Sequence, residues 1–178
     1  MRPAPRFPSN GERPAVVTGA YWWNRPISRA LFRFDDKPPL FIWNFEAALA
    51  KAKAEGANLF AWSSLLTAAH QQDCAEADVA LLRIEDGFLR SIGLGAGFVT
   101  AASLAVDQRG IYYDANRPSD LEHLLETATL DEGDIADGAL IRQRILEARL
   151  TKYNLGHVVP LPKPPSGREV VLVPGQVS

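Results

Sequence analysis

A buried strand that ends at a polar turn is predicted by Val79-Ala80-Leu81-Leu82-Arg83-Ile84, which leads directly into Glu85-Asp86-Gly87. The run is mostly aliphatic, and its length is typical of a strand. Because neighbouring side chains of a strand point to opposite faces of the sheet, we expect Glu85 and Asp86 not to share one site as an acid pair. Gly87 can adopt backbone angles that other residues avoid, so it would turn the chain there.

Outward from this strand, apolar runs alternate with stretches of helical character. Strands are predicted at residues 15–19, 40–43, 58–62, 79–84, 103–106, 111–113 and 169–173, and helices at 24–32, 46–55, 63–77, 118–127 and 134–153, with one helical turn at 88–91. Ser63 or Ser64 would cap the third helix, and the last helix would pack one face through Ile141 and Ile145. The alternation predicts an α/β fold with a Rossmann-like, mostly parallel sheet and flanking helices, whose ligands bind at the carboxyl ends of strands.

Composition excludes several classes of protein. The 178 residues carry 19 basic and 21 acidic side chains, a net charge of −2, which is not the charge of a basic nucleic-acid binder. A single cysteine excludes a disulfide framework and a cysteine-rich zinc site. Apolar runs fall short of the about 20 residues that cross a bilayer, and the N-terminus lacks the apolar stretch of a secretory signal. The cytoplasm is therefore the expected compartment.

The carboxylates after the central strand have two interpretations that spacing leaves open. A carboxylate at a strand end can serve as base or nucleophile, and Arg90 and Ser91 could bind an anionic substrate beside it. Alternatively, Asp86 caps the predicted helical turn and Arg90 is simply its ion-pair partner.

Glycine and tryptophan residues give further candidates. The stretch Gly93-Leu94-Gly95-Ala96-Gly97 is not a complete GxGxxG motif and does not follow a strand directly, so it predicts a mobile loop beside a site. Trp43 and Trp62 are expected in the core. Trp22 and Trp23 are adjacent and cannot both face one core, so Trp23, with Arg25 nearby, is a candidate for binding a sugar ring.

Several ordered motifs carry a resemblance to a known family. Five segments carry it: Ile84-Glu85-Asp86-Gly87-Phe88-Leu89-Arg90-Ser91-Ile92-Gly93-Leu94-Gly95, Leu104 to Asp114, Arg117 to Glu122, Leu150 to Gly156 and Val171 to Val177. They resemble the bacterial capsular polysaccharide biosynthesis proteins of the KpsC type. The resemblance extends from about Val16 to the end of the chain.

The resemblance implies a transferase of the two-lobed GT-B type that moves Kdo from CMP-Kdo with retention of configuration. Asp86 matches the aspartate of the family's acidic-Asp-Gly motif, which is catalytic, so it would attack the anomeric carbon. Glu85 would be a supporting or acid/base residue. Gly87, Arg90, Ser91, Trp23 and Arg25 are the candidate substrate-binding residues, and neither a metal nor a bound cofactor is expected.

The resemblance also suggests domain boundaries. We expect a flexible proline-rich arm at residues 1–14, an acceptor-side lobe at 15–156, a linker at 157–168 and the first strand of a truncated second lobe at 169–178. The chain has no His-Pro dipeptide, which is the family's second motif. Most of the nucleotide-binding lobe is therefore expected to be absent, so we expect this chain alone not to catalyse the transfer. Three explanations remain open: a truncation, a natural fragment and a split enzyme.

The implied partners are a lipid-linked saccharide acceptor, a sugar nucleotide, and a C-terminal lobe or partner chain, at the cytoplasmic face of the inner membrane and without nucleic acid. Two other functions stay open. One is a non-catalytic α/β module that binds a sugar or another chain, and the other is a nucleotide-binding domain, for which the glycine loop is the support.

Overall fold

The computed structural model describes residues 14–34, 36–94 and 97–156, together with positions 166, 167, 169, 171 and 173. The predicted arm, linker and terminal strand lie almost wholly outside the described residues. The domain boundaries therefore stay predictions.

Within the described residues, five strands form one sheet in the order β2-β1-β3-β4-β5. The strands are β1 (Val16–Thr18), β2 (Leu40–Phe41), β3 (Leu59–Trp62), β4 (Leu81–Asp86) and β5 (Leu104–Asp107). The first four are parallel, and β5 runs antiparallel to β4 with Asp86 opposite Leu104. The predicted α/β fold with a mostly parallel sheet is confirmed.

Helices flank this sheet, and their ends follow local capping chemistry. The described helices are α1 (Arg25–Leu31), α2 (Phe45–Glu55), α3 (Ala68–Glu76), α4 (Asp120–Thr127) and α5 (Glu132–Glu147). The Asn44 side chain accepts the Ala47 N–H at the start of α2, which ends at Gly56 in the left-handed region, with φ 56°. Ser119 caps α4 through a reciprocal pair with Glu122.

Three helix and strand predictions were wrong. The cap of α3 is Thr67, which pairs reciprocally with His70, whereas Ser63–Leu65 forms a short 3-10 helix. Residues 88–91 contain no helical turn, because the backbone N–H of Arg90 donates to a distant carbonyl at Lys152. Residues 111–113 form a turn instead of a strand.

The last helix also differs from its prediction. It ends at Glu147 instead of Tyr153, and none of its residues is buried; Ile141 is 58% exposed. Helical spacing identifies an apolar stripe, but whether another element covers that stripe is a property of the tertiary fold.

The core lies on both faces of the sheet. On one face, Val17, Phe60 and Ile84 pack with Phe32; on the other, Val16 packs with α2 and α3. Trp62 belongs to the first cluster as expected, whereas Trp43 is 55% exposed, so its predicted place in the core was wrong. The strand β2 ends at Phe41, two residues before this tryptophan, which leaves it on the loop.

Candidate functional site

The carboxyl end of β4 carries both candidate carboxylates and turns them to different neighbours. Asp86 forms an ion pair with Arg90, whereas Glu85 accepts a hydrogen bond from the Tyr113 hydroxyl at 3.4 Å. Both residues are within the strand, so their side chains alternate between the faces of the sheet. The predicted separation of the two carboxylates is confirmed.

The Asp86 carboxylate is oriented by a buried cation. Arg90 Nε lies 2.6 Å from Asp86 Oδ2, and Arg90 is only 1% exposed. The Nη1 of Arg90 also donates to Ser91 Oγ at 2.8 Å and to the Val99 carbonyl at 3.1 Å. Charge-assisted bonds of this kind are short and directional. Arg90 therefore positions Asp86, and in this arrangement its guanidinium is occupied; a direct role of Arg90 or Ser91 in substrate binding stays a prediction.

One oxygen of Asp86 has no such partner. Among the described residues, Asp86 Oδ1 is buried and has no hydrogen-bond partner. A buried acceptor left unsatisfied costs about 1–3 kcal/mol, and such atoms are uncommon in native folds. The arrangement thus leaves one buried carboxylate oxygen without a partner among the described residues.

The segment after Asp86 is held by a distant loop. The Lys152 carbonyl accepts the N–H groups of Arg90 at 2.8 Å and Ser91 at 3.3 Å, and Asn154 Nδ2 donates to the Ser91 carbonyl at 3.0 Å. The Tyr153 carbonyl accepts the Gly93 N–H at 2.8 Å. These bonds join parts of the chain about 60 residues apart, so the sequence near Asp86 does not indicate the contact; the family resemblance at Leu150 to Gly156 is the signal that marks this segment.

Gly87 lies so close to Ser103 that no larger residue fits at this position. A Cβ there would overlap Ser103 Oγ and lie 2.9 Å from the Ser103 carbonyl carbon. The Gly87 N–H donates to the Ser103 carbonyl at 3.1 Å. Gly87 is absent from the glycines with positive φ, so the expected unusual backbone angle was wrong and close approach is the reason for glycine.

Glu85 lies in an environment of uncharged donors. Its Oε1 accepts the backbone N–H of Asp86 at 3.0 Å, and Tyr112 donates through its hydroxyl to the Asp86 carbonyl at 3.1 Å. Burial raises the pKa of the Glu85 carboxyl, and the neighbouring Asp86 charge adds to that increase. Glu85 therefore supports the backbone of Asp86.

An aromatic cluster forms a second candidate surface; its members are Tyr21, Trp22, Trp23, Trp43 and Phe98. Trp23 stacks on Tyr21 with ring centroids 4.5 Å apart and meets Phe98 edge-on at 4.9 Å. Trp22 is 65% exposed. Phe98 precedes Val99, whose carbonyl binds Arg90, so the cluster borders the segment that positions Asp86.

The remaining predicted residue lies apart from these groups. The guanidinium of Arg25 sits 5.3 Å from the centroid of the Phe41 ring. The structure thus brings Asp86, Gly87, Arg90 and Ser91 together, places Glu85 on the opposite face, and leaves Arg25 beside β2.

A cavity of about 230 Å³ opens where β1 and β3 end. Its lining includes Thr18, Trp43, Trp62 and His70. In this strand order β2 lies on one side of β1 and β3 lies on the other, so the strand order reverses at β1. The cavity is therefore at a topological switch point, which is the usual ligand position in such folds.

The part of the chain that the structure describes holds no cluster of three or more His, Cys, Asp or Glu side chains placed to ligate a metal. Nor does any described helix have the length and apolar character needed to cross a membrane.

Comparison with known proteins gives relatives concerned with capsules and lipopolysaccharide. The chain is 31% identical over 159 residues to the capsule polysaccharide modification protein LipA of Neisseria meningitidis serogroup A, covering 89% of this chain and 22% of LipA. It is 44% identical over 119 residues to the lipopolysaccharide-processing protein LpsZ of Rhizobium meliloti, covering 65% of this chain and 27% of LpsZ. The chain therefore spans about a quarter or less of these relatives.

Two solved structures from Thermosulfurimonas dismutans share the fold. The KpsC described as a beta Kdo 2,4 transferase matches with a TM-score of 0.65 and 31% identity, over 89% of this chain and 47% of that chain. The KpsC described as a beta Kdo 2,7 transferase matches with a TM-score of 0.51 and 26% identity, over 76% and 43%.

A family match covers the candidate site itself. The model of the capsule polysaccharide biosynthesis protein family matches residues 62–154, which is more than half of the chain. This range begins at the end of β3 and includes β4, the Asp86–Arg90 pair and the loop at 151–154 that holds it. The chain belongs to the capsule polysaccharide biosynthesis protein family.

Proposed function

We propose that this chain supplies the catalytic carboxylate of a glycosyltransferase that moves Kdo from CMP-Kdo to a lipid-linked saccharide acceptor with retention. The observation that carries the proposal is the state of Asp86: one oxygen is fixed by a buried arginine, and the other has no partner among the described residues. The similarity to two KpsC structures described as beta Kdo transferases supports the substrate class.

The reaction consists of two displacements at one carbon. Asp86 Oδ1 attacks the anomeric carbon of Kdo and forms a covalent ester-like bond, while the bond from that carbon to the phosphate oxygen breaks and CMP leaves with the electron pair. The acceptor hydroxyl then attacks the same carbon, displaces the carboxylate and gives its proton to a base. Each displacement inverts the carbon, so the product retains the donor's configuration.

The neighbours of Asp86 have positioning roles in this proposal. Arg90 holds Oδ2, which aims Oδ1 and limits the rotation of the carboxylate. Glu85 supports the strand end by accepting the Asp86 N–H. It lies on the other face of the sheet, so the base for the second step comes from elsewhere.

The aromatic cluster fits the acceptor. Flat rings pack against the apolar face of a pyranose, and Trp22 and Phe98 present exposed ring surface near the Arg90 segment. In this proposal a second lobe, as in the GT-B type, or a partner chain binds the CMP phosphate, no metal takes part, and the reaction takes place at the cytoplasmic face of the inner membrane.

The test is to map the covalent intermediate. The chain, joined to the second lobe or partner chain that binds CMP, is incubated with CMP-Kdo, quenched in acid and digested, and peptides are sequenced by mass spectrometry. We expect one Kdo residue on the peptide that contains Asp86, and none after the Asp86→Ala substitution; Asp137→Ala, at an exposed position of α5, is the matched control. An adduct on another carboxylate, or a product with inverted configuration, would contradict the proposal.

A second candidate function is a non-catalytic sugar-binding module, favoured by the exposure of the aromatic cluster. The two functions separate in one comparison. A module would bind the acceptor equally well with and without Asp86 and form no adduct, whereas the transferase loses its adduct in Asp86→Ala.

A further inference from the structure

A polar cavity of about 420 Å³ lies on the side of β4 away from Asp86. Its walls include Ser63, Gln71, Arg83, Tyr113, Asn116 and Arg117. Arg83 and Glu85 share one face of β4 because they are two residues apart in the strand. The cavity is therefore distinct from the environment of Asp86.

Two guanidinium groups line this cavity. Arg83 is only 8% exposed, and its Nη1 donates to the Gln108 carbonyl at 3.2 Å. Arg117 donates through Nη1 to Gln71 Oε1. Among the ion pairs of the described residues, none includes either arginine. A buried arginine without a carboxylate partner is unusual, because charged groups are rarely buried unpaired.

The carboxylate nearest to Arg83 is already engaged. Asp107 lies opposite Arg83 in the β4–β5 pair. Its Oδ1 accepts the N–H groups of Arg109 at 2.9 Å and Gly110 at 2.8 Å, and its Oδ2 accepts the Asp120 N–H at 2.9 Å. Asp107 thus holds the loop together instead of forming an ion pair with Arg83.

Among the residues that line the cavity, the charged ones are Arg83, Arg117 and Asp114. Asp114 is the carboxylate in its wall, and its Oδ1 accepts the backbone and side-chain N–H groups of Asn116 at 3.0 and 3.1 Å. Burial lowers the pKa of the Arg83 guanidinium and the charge of Arg117 lowers it further, whereas the charges of Asp107 and Asp114 act in the opposite direction. The wall thus holds two cations and one carboxylate, and both Asp114 and the neighbouring Asp107 already accept hydrogen bonds from backbone or amide N–H groups.

We propose that this cavity binds an oxyanion, the carboxylate or phosphate group of a saccharide, between Arg83 and Arg117. Guanidinium groups present paired N–H donors that match carboxylate and phosphate oxygens, and an anion would relieve the repulsion between the two cations. The hydroxyl of Ser63 and the amide of Gln71 add uncharged polar contacts for the rest of the ligand. This proposal does not depend on the chemistry of Asp86.

Direct binding tests the proposal without turnover. The protein is titrated calorimetrically in phosphate-free buffer with glucuronate, with inorganic phosphate and with glucose as the uncharged probe. We expect saturable 1:1 binding of at least one anion and none of glucose. Binding of glucuronate alone identifies a sugar carboxylate as the ligand group, and binding of phosphate alone identifies a phosphate.

Arg117→Gln is the decisive variant because Arg117 is exposed and its loss should not impair folding. We expect it to weaken anion binding about tenfold or more, the loss typical of one charge-assisted hydrogen bond. Arg33→Gln removes the same charge at an exposed position of the loop after α1 and should leave affinity within about twofold. Arg83→Gln, checked by thermal unfolding, should have a similar effect to Arg117→Gln.

Three results would overturn the proposal: no saturable binding of either anion, unchanged binding in Arg117→Gln, or equal weakening in Arg33→Gln. Because the measurement needs neither donor nor transfer, such a result leaves the transferase proposal intact. Failure to find the Asp86 adduct would likewise leave the anion site intact.

Discussion

The adjacent carboxylates of Asp86 and Glu85 lie on opposite faces of β4 and have different neighbours, a charged guanidinium for Asp86 and uncharged hydrogen-bond donors for Glu85. On one face, a guanidinium that is almost fully buried lies 2.6 Å from Asp86 Oδ2. On the other, Glu85 accepts hydrogen bonds from uncharged groups, and burial raises its pKa. Strand alternation therefore gives each carboxylate its own chemistry: Asp86 is positioned by a cation, and Glu85 is a partly buried acid with a structural role.

The difference extends to the cations. The guanidinium of Arg90 is satisfied by Asp86, Ser91 and Val99, whereas Arg83 on the opposite face has one carbonyl partner and lines an open cavity. Arg90 is thus suited to positioning, and Arg83 is better placed than Arg90 to bind an anion.

The largest effect is expected from breaking the ion pair on the Asp86 face. Arg90→Met removes the cation and leaves a carboxylate that is mostly buried, which should lower the free energy of unfolding by about 3 kcal/mol. Urea unfolding measures the loss, and Arg33→Met, at an exposed pair, should change stability by less than about 0.5 kcal/mol.

The double variant Asp86→Ala with Arg90→Met sharpens this prediction. Once both charges are gone no unpaired charge remains, so the combined loss should be smaller than the sum of the single losses. Strict additivity would show that the two side chains do not stabilise each other, and would remove the distinction between the faces.

The next effect concerns the turn that follows both carboxylates. Gly87→Ala places a methyl group against Ser103 and should lower the free energy of unfolding by about 1–3 kcal/mol, as overpacking does. Gly138→Ala is the matched control, since nothing lies within 4 Å of that position in α5. It should stabilise the helix by about 0.5–1 kcal/mol. Equal effects of the two substitutions in urea unfolding would contradict the close approach at Gly87.

Local chemistry explains which parts of this arrangement the sequence predicts. The apolar run from Val79 predicts β4, and alternation within the strand predicts the separation of Glu85 from Asp86. The boundaries of α2 follow from Asn44 and Gly56, whose capping partners lie within four residues. In each case the interactions that decide the structure are close in sequence.

The rest depends on contacts between distant residues. The segment 88–91 is predicted as a helical turn, yet Lys152 and Asn154 hold it in a non-helical form. The contact of Arg90 with the Val99 carbonyl and the burial of its guanidinium likewise depend on distant residues, and its role in substrate binding stays a prediction. The placement of Arg83 and Arg117 in the wall of one cavity arises from the fold, because the two lie on β4 and on a loop beyond β5.

A smaller effect, dependent on pH, should come from Glu85. Its pKa is raised in the folded state, so the folded state binds this proton more tightly than the unfolded state does. The stability associated with this group is therefore fully present below the ordinary glutamate pKa of about 4.3 and is lost as pH rises through the folded value. Glu85→Gln removes this dependence and keeps an acceptor oxygen for the Asp86 N–H.

Urea unfolding of wild type and Glu85→Gln between pH 4 and pH 7 measures this dependence. The stability of the variant relative to wild type should increase as the pH rises. Glu126→Gln, at an exposed position of α4, is the control, and its difference from wild type should stay nearly constant. A Glu85→Gln variant that loses relative stability as pH rises would mean that Glu85 resembles a paired carboxylate, and the contrast between the two faces would fail.

The smallest effect on stability is expected at the aromatic cluster, which borders the Asp86 face. Trp22 is 65% exposed and contacts Trp23 and Phe98 through its ring. Trp22→Ala should change the free energy of unfolding by only about 0.5 kcal/mol, because exposed side chains contribute little to the fold. It should nevertheless weaken acceptor binding about fivefold, equivalent to the about 1 kcal/mol of one aromatic contact.

Leu125→Ala, which removes an exposed apolar side chain from α4, should leave acceptor affinity unchanged when both variants are measured by calorimetry. Equal acceptor affinities for Trp22→Ala and wild type would separate the cluster from the Asp86 site and assign its exposed rings to another contact.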